Sequence, residues 1–162
     1  MKKTITMMLM IGAMLGFVSC DDDDKDIQVP DKYEKALLSK YPNANWIEWE
    51  GKGTYKVADF VDEGLDLDVW FDHDAKWVMT ETDFTPAQYG KVPVAVMDAF
   101  NTSEYSTWTV DGISMYERED ATFYVYDLEK KGEPDMDRYL LPTGEITKVV
   151  AEQEVYPDTS VR

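Results

Sequence analysis

Leu65-Asp66-Leu67-Asp68-Val69-Trp70-Phe71 is the stretch on which the reading of the fold turns. Successive side chains of a strand point to opposite faces. One face therefore takes Leu65, Leu67, Val69 and Phe71, and the other takes Asp66, Asp68 and Trp70. No helical spacing sorts these residues so cleanly, and a one-residue slip would bury the aspartates. The segment reads as a half-buried strand of an antiparallel sheet, covered on its apolar face and open on its acidic one.

Working outward, turn residues punctuate further short alternating runs: Gly51-Lys52-Gly53, Asp62-Glu63-Gly64 and Thr143-Gly144. Strands are expected over 45–50, 54–61, 65–71 and 76–82, then over 105–117 (irregular), 121–128, 136–141 and 145–150. Short connections make each set an antiparallel meander. Pro30 suits a helix start, with Tyr33, Ala36, Leu37 and Tyr41 at the spacing of a buried stripe and Pro42 as its stop. Pro93 opens a second helix through Val96, Ala99 and Phe100.

The two halves echo each other. Val29-Pro30 and Ala36-Leu37 recur as Val92-Pro93 and Ala99-Phe100 at an offset of 63, and Thr54–Asp59 lies over Thr122–Asp127. Trp46 matches Trp108, and Trp70 matches Tyr139. The fold class is α+β: a tandem repeat of one helix plus a four-stranded antiparallel meander, with both helices on one sheet face. The divisions are 1–19 leader, 20–28 acidic tether, 29–83 first repeat, 84–91 linker, 92–150 second repeat and 151–162 tail. The repeats make one compact domain, since neither alone buries an adequate core.

Matching the copies extends the open face. Phe123 and Val125 pair with Tyr55 and Val57 as residues facing the helix, which sends Tyr124 and Tyr126 to the other side, where Tyr139 joins Trp70. Aromatics are enriched at protein interfaces, and a rigid sheet presents them at low entropic cost. Trp70, Tyr124, Tyr126 and Tyr139 with Asp66 and Asp68 form the candidate partner-binding set. Trp46, Trp49 and Trp108 are expected to pack against the helices.

The N-terminus carries an address. Lys2 and Lys3 precede an apolar run from Ile5 to Val18 that breaks at Ser19-Cys20, the layout of a cleaved signal peptide. The run falls short of the about 20 residues that a membrane-spanning helix needs. Phe17-Val18-Ser19-Cys20 resembles the lipobox of bacterial lipoproteins, which implies lipidation of Cys20 and an envelope location, here the outer membrane. Cys20 is the one cysteine, so an intramolecular disulfide is excluded. The following Asp21–Asp24 run is a solvated tether that resembles the surface-export signal of Bacteroidetes lipoproteins. In enteric bacteria an aspartate there favours the inner membrane instead.

Loss of Lys2 and Lys3 with the leader takes the formal charge from −17 to −19. No basic cluster remains to neutralise phosphates, which excludes nucleic acid as a partner. Membrane contact through charge is excluded likewise. Basic proteins or cationic peptides are the natural partners.

Tyr41-Pro42-Asn43-Ala44, Trp46, Glu48-Trp49-Glu50 and Val69-Trp70-Phe71-Asp72 through Lys76-Trp77 resemble the PepSY-like, beta-lactamase-inhibitor-like proteins. The resemblance implies a secreted or lipid-anchored protein built from helix-plus-four-strand repeats, of the kind common in Bacteroidetes. It implies a binding or inhibitory module and no catalytic motif. The second copy departs from the pattern, lacking the Tyr-Pro-Asn-Ala turn.

Enzymatic chemistry finds little footing. His73 is the single histidine and sits at an expected turn, where water is hard to exclude. No Gly-x-Ser-x-Gly elbow is present. Asp66, Asp68, Asp72, His73 and Asp74 cluster in sequence, yet the segment lacks a calcium loop's glycine and ligand number. No cofactor or metal is called for. Two functions remain: a protein-binding or inhibitor-like module acting through the helix-free face, or an envelope structural or carbohydrate-associated accessory protein whose rings stack on sugars.

Overall fold

The alternation in Leu65–Phe71 is realised as a central strand in a continuous antiparallel meander. A computed structural model describes residues 27–161 and, for 23–25, the backbone alone. The leader and Cys20 lie outside the described residues. Among the described residues nine strands lie side by side in chain order: β1 Asp23–Lys25, β2 Glu48–Lys52, β3 Tyr55–Asp62, β4 Leu65–Phe71, β5 Trp77–Phe84, β6 Thr109–Glu117, β7 Thr122–Glu129, β8 Met136–Leu140 and β9 Ile146–Ala151. Helix α1 (Asp31–Lys40) precedes β2, and α2 (Val94–Asn101) precedes β6. The expected linker is a short 3-10 helix, Pro86–Lys91.

Local chemistry explains the helices. Pro30 and Pro93, with φ of −59° and −55°, precede the first helical residues. Each helix then buries one residue pair four apart, Tyr33 with Leu37 and Val96 with Phe100. Gly144 holds a positive φ of 82° in the β8–β9 turn, and a Cβ there would collide with the carbonyl of Ala95 in α2.

Strand parity shows that both helices cover the same face. Leu67, Val69 and Phe71 pack with Tyr33 and Leu37 of α1. Leu67 lies opposite Thr82, and Phe84, two residues on and so on the same face, packs with Val96 and Phe100 of α2. The β5–β6 ladder, from Thr80↔Glu117 to Phe84↔Ile113, joins the two halves into one sheet.

Several expectations need correction. The stretch 20–28 is not only a tether: Asp23–Lys25 adds an edge strand to β2, and Ile27 and Val29 pack against the core beneath α1. Trp46 is not packed against a helix but is 92% exposed, at a φ of 56°. Trp49 is buried under α1 as expected, and Trp108 packs beside Tyr105 beneath α2. Tyr124 and Tyr126 face α2, and Phe123 and Val125 face the other side, the reverse of the expected assignment.

The tail, 151–162 in sequence terms, has a structural role that its sequence did not announce. Val155, Tyr156 and Val161 lie on the helix-free face over Val57, Trp70, Met79, Phe123 and Tyr139, closing a third apolar cluster. Arg118 Nη1 fastens this segment by donating to the carbonyls of Pro157 and Thr159 at 2.8 and 2.9 Å. The Arg118 guanidinium also lies 5.3 Å from the centre of the Phe123 ring.

Candidate functional site

The expected aromatic platform is not open to a partner. Trp70 and Tyr139 do lie on the helix-free side, but both are fully buried, Trp70 against the rings of Tyr55 and Tyr156 at 5.9 and 5.6 Å. Tyr124 and Tyr126 are buried beneath α2, where Tyr126 stacks on Phe100 at 5.2 Å. The physical reason is the same throughout: a large ring on a strand is covered whenever chain is at hand to cover it, because burying it stabilises by several kcal/mol, about 25 cal/mol per Å². Of the expected set, Asp66 and Asp68 alone line an open surface.

That surface is a groove of about 800 Å³ on the helix-free face. Its floor comes from β4, β5, β6 and β7 and its far wall from the tail. Asp66, Asp68, Glu81 and Asp83 line it from β4 and β5. Asp111 and Asp127 line it from β6 and β7, and Glu152 and Glu154 from the tail. Lys52 is the one basic residue in the lining, tied to Glu154 at 2.8 Å and to Asp68 at 3.8 Å. Burial works against the Lys52 charge, but the Glu154 hydrogen bond with Asp68 and Glu81 outweighs it, so its pKa is raised.

The sheet register makes this charge deliberate. Asp59 lies opposite Asp68, Asp68 opposite Glu81, Asp66 opposite Asp83 and Asp127 opposite Asp137. Like charges directly opposite destabilise a strand pair, by up to about 1 kcal/mol. Four carboxyl pairs on one face, two of them eased by a retained proton, run against what stability alone selects. Such local conflicts mark functional surfaces.

Neighbouring hydroxyls accommodate part of the charge. Tyr116 Oη donates to Glu81 Oε1 at 2.6 Å, and Ser114 Oγ to Asp83 Oδ1 at 2.5 Å. Burial and then the Asp83 and Asp68 charges push the Glu81 carboxyl up to about 8, against the opposing pull of the Tyr116 hydrogen bond and Lys52. Asp127 is raised by burial and by sharing a proton with Asp137 across the β7–β8 pair. Asp137 is raised by burial as well.

Most of the groove lay beyond reach of the sequence reading. Glu81, Asp83, Asp111, Asp127, Glu152 and Glu154 were not singled out, nor was Asp137 beside Asp127. One signal was available: the face assigned to Asp66 and Asp68 carries across to Glu81 and Asp83 once β4 and β5 are taken as a hairpin. His73 sits exposed in the β4–β5 turn, where Asp72 Oδ1 accepts the amides of Asp74 and Lys76 at 2.9 Å. Asp72 thus closes an Asx-type turn. Among the described residues no group of histidine, cysteine or carboxylates is arranged to hold a metal ion. No described helix is long and apolar enough to cross a membrane.

Comparison with known proteins follows the fold. The family described as beta-lactamase-inhibitor-like, PepSY-like matches residues 54–148. A BLIP-like protein from Bacteroides fragilis is 35% identical with a TM-score of 0.70, covering 83% of this chain and 93% of its own. A DUF2874 family protein from Bacteroides uniformis is 32% identical with a TM-score of 0.71, covering 76% of this chain and 90% of its own. A protein from Bacteroides eggerthii, provisionally described as periplasmic, is 33% identical with a TM-score of 0.70, covering 76% and 89%. No curated protein matches significantly.

Proposed function

Because the chain belongs to the PepSY-like, beta-lactamase-inhibitor-like family, we propose that it is a non-enzymatic, inhibitor-like module that binds a partner protein through its acidic groove. The observation that carries this reading is the facing of carboxyl groups across neighbouring strands, Asp68↔Glu81 and Asp66↔Asp83, along one open groove. A surface that costs stability when empty gains when a complementary partner neutralises it. The sugar-binding alternative loses its support, because the rings it needs, Trp70 and Tyr139, are buried.

The sequence Phe17-Val18-Ser19-Cys20 supports lipid anchoring in the cell envelope, at the outer membrane. The strand β1 begins three residues after Cys20, which limits the tether to roughly 10 Å of extended chain. The order helix, then four strands, occurs twice and supports an origin by tandem duplication. Cys20→Ala should move the protein from the detergent phase to the aqueous phase, and a variant that stays with detergent overturns the lipid anchor.

The binding reading is tested by affinity capture from native envelope extract. The parent should retain a protein that Asp66→Lys with Asp83→Lys loses, while Glu34→Lys on the exposed side of α1 retains it. Equal retention by all three proteins would sink the groove as the binding surface.

A further inference from the structure

Behind the groove lies a small cavity of about 10 Å³ lined by Asp111, Asp127, Glu129, Asp135 and Glu152 with the apolar walls of Leu128 and Met136. It shares Asp111, Asp127 and Glu152 with the groove, so the two form a vestibule and a recess. The recess is about the size of one water molecule. Among the described residues no basic one lines it.

Asp137 adds an independent observation. It is 1% exposed, and Gln153 N donates to its Oδ2 at 3.0 Å. Its buried Oδ1 meets no donor besides the proton shared with Asp127. In register it lies directly opposite Asp127, whose carboxylate forms part of both the groove and the recess. A buried carboxylate and a half-buried one side by side stay together only by sharing a proton or a cation. Space for Asp127 is secured from below: a Cβ on Gly112 would come within 3.1 Å of its Oδ2.

Resting on the binding role above, we propose that the groove takes a basic partner segment and that one lysine of that segment seats its ammonium in the recess against Asp127, which Asp137 backs from the neighbouring strand. An ammonium is water-sized, carries three donors and meets several carboxylates there, whereas a planar guanidinium exceeds the space. The groove admits the aliphatic stem that such a side chain buries on the way. The step balances simply: the lysine enters charged, and the proton shared by Asp127 and Asp137 leaves to solvent. The charged and titratable groups facing this pair are Asp111 and Tyr116 of β6, Tyr139 of β8, Tyr89 of the 3-10 helix, Lys148 of β9 and Glu152 of the tail. Lys148 is directed over the Tyr139 ring, with Nζ 4.0 Å from its centre. Acids dominate the set, so binding strengthens as pH rises and the pair yields its proton.

Calorimetric titration of the mature protein with tetralysine, tetraarginine and fully acetylated tetralysine tests this. Runs in two buffers of different ionisation enthalpy near pH 7 count the protons released. Tetralysine should bind at least tenfold tighter than tetraarginine, acetylation should abolish binding, and about one proton should leave per peptide. Asp127→Asn should weaken tetralysine at least tenfold and remove the proton release, while Glu34→Gln on the exposed side of α1 changes affinity less than threefold. Should Asp127→Asn fail to fold by circular dichroism, Glu152→Gln on the exposed tail replaces it, with a loss of at least threefold expected. Equal affinity for lysine and arginine peptides, no proton release, or displacement of tetralysine by micromolar calcium would each overturn the lysine seat. Capture of an envelope protein that still depends on Asp66 and Asp83 would leave the binding role standing beside that failure.

Discussion

The helix-free face of the sheet has two halves, and strand β4 crosses both. Toward the β4–β5 and β6–β7 turns, Trp70, Phe123 and Tyr139 lie under the tail residues Val155, Tyr156 and Val161. Toward the β3–β4 turn and the 3-10 helix, Asp66, Glu81 and Asp83 line an open groove. The alternation is the same along the strand, and the side-chain chemistry changes within four residues, from Asp66 to Trp70. The difference teaches that a face is not a property of strand parity alone. Parity decides which side a residue joins; what else the chain lays over that side decides whether it is core or surface.

The sharpest way to break this division is in the covered half. Trp70→Ala should cost about 3–5 kcal/mol, the usual range for truncating a fully buried ring. Chemical denaturation measures it, and a loss under 1 kcal/mol would show that the tail is a loose cover. Arg118→Ala should cost less, about 1–3 kcal/mol, because it removes two hydrogen bonds from a charged donor to the tail carbonyls. Limited proteolysis should then cleave within the tail before the sheet.

The open half should respond to pH. With its carboxyl raised to about 8, Glu81 holds a proton in the folded state that the unfolded chain releases near its ordinary value of 4.5. Stability from this group is therefore present at low pH and lost as pH rises through that window. Melting temperature should fall by several degrees, on the order of 5 °C, between pH 5 and 8.5. Glu81→Gln should flatten that fall, and an unchanged slope would place the titration elsewhere.

The smallest effect is expected at the groove's floor. Asp66→Asn with Asp68→Asn should change stability by less than about 0.5 kcal/mol, or raise it slightly, since it relieves like-charge pairs. Its signature is kinetic: slower association with the partner and a flatter dependence on salt. A stability loss comparable to that of Trp70→Ala would erase the distinction between the two halves.

Legibility of the site tracked these halves. Leu65–Phe71 sorted itself because acids alternate with apolar residues, and its strand bounds match the structure. Thr122–Glu129 did not, because Phe123, Tyr124, Val125 and Tyr126 are apolar or aromatic on both faces. With no polar residue to mark the wet side, alignment to Tyr55 and Val57 set the parity. Those residues, too, lie on the helix-free face, against Trp70 and Phe123. The second-copy assignment therefore reversed together with its reference, as the period of two requires.

By itself the sequence determined the α+β class, the helix-then-four-strands order, the antiparallel meander and the side on which Asp66, Asp68 and Trp70 stand. These follow from spacing of two and of three to four residues, from prolines and from turn glycines, all of which act over a few neighbours. The tertiary structure alone decided that the two meanders fuse through β5 and β6 and that the tail covers Trp70 and Tyr139. It also decided that eight carboxylates from β4, β5, β6, β7 and the tail gather in one groove. Those outcomes depend on which distant segments come to lie against one another. That is settled by competition for buried apolar area across the whole chain, and no local pattern records it.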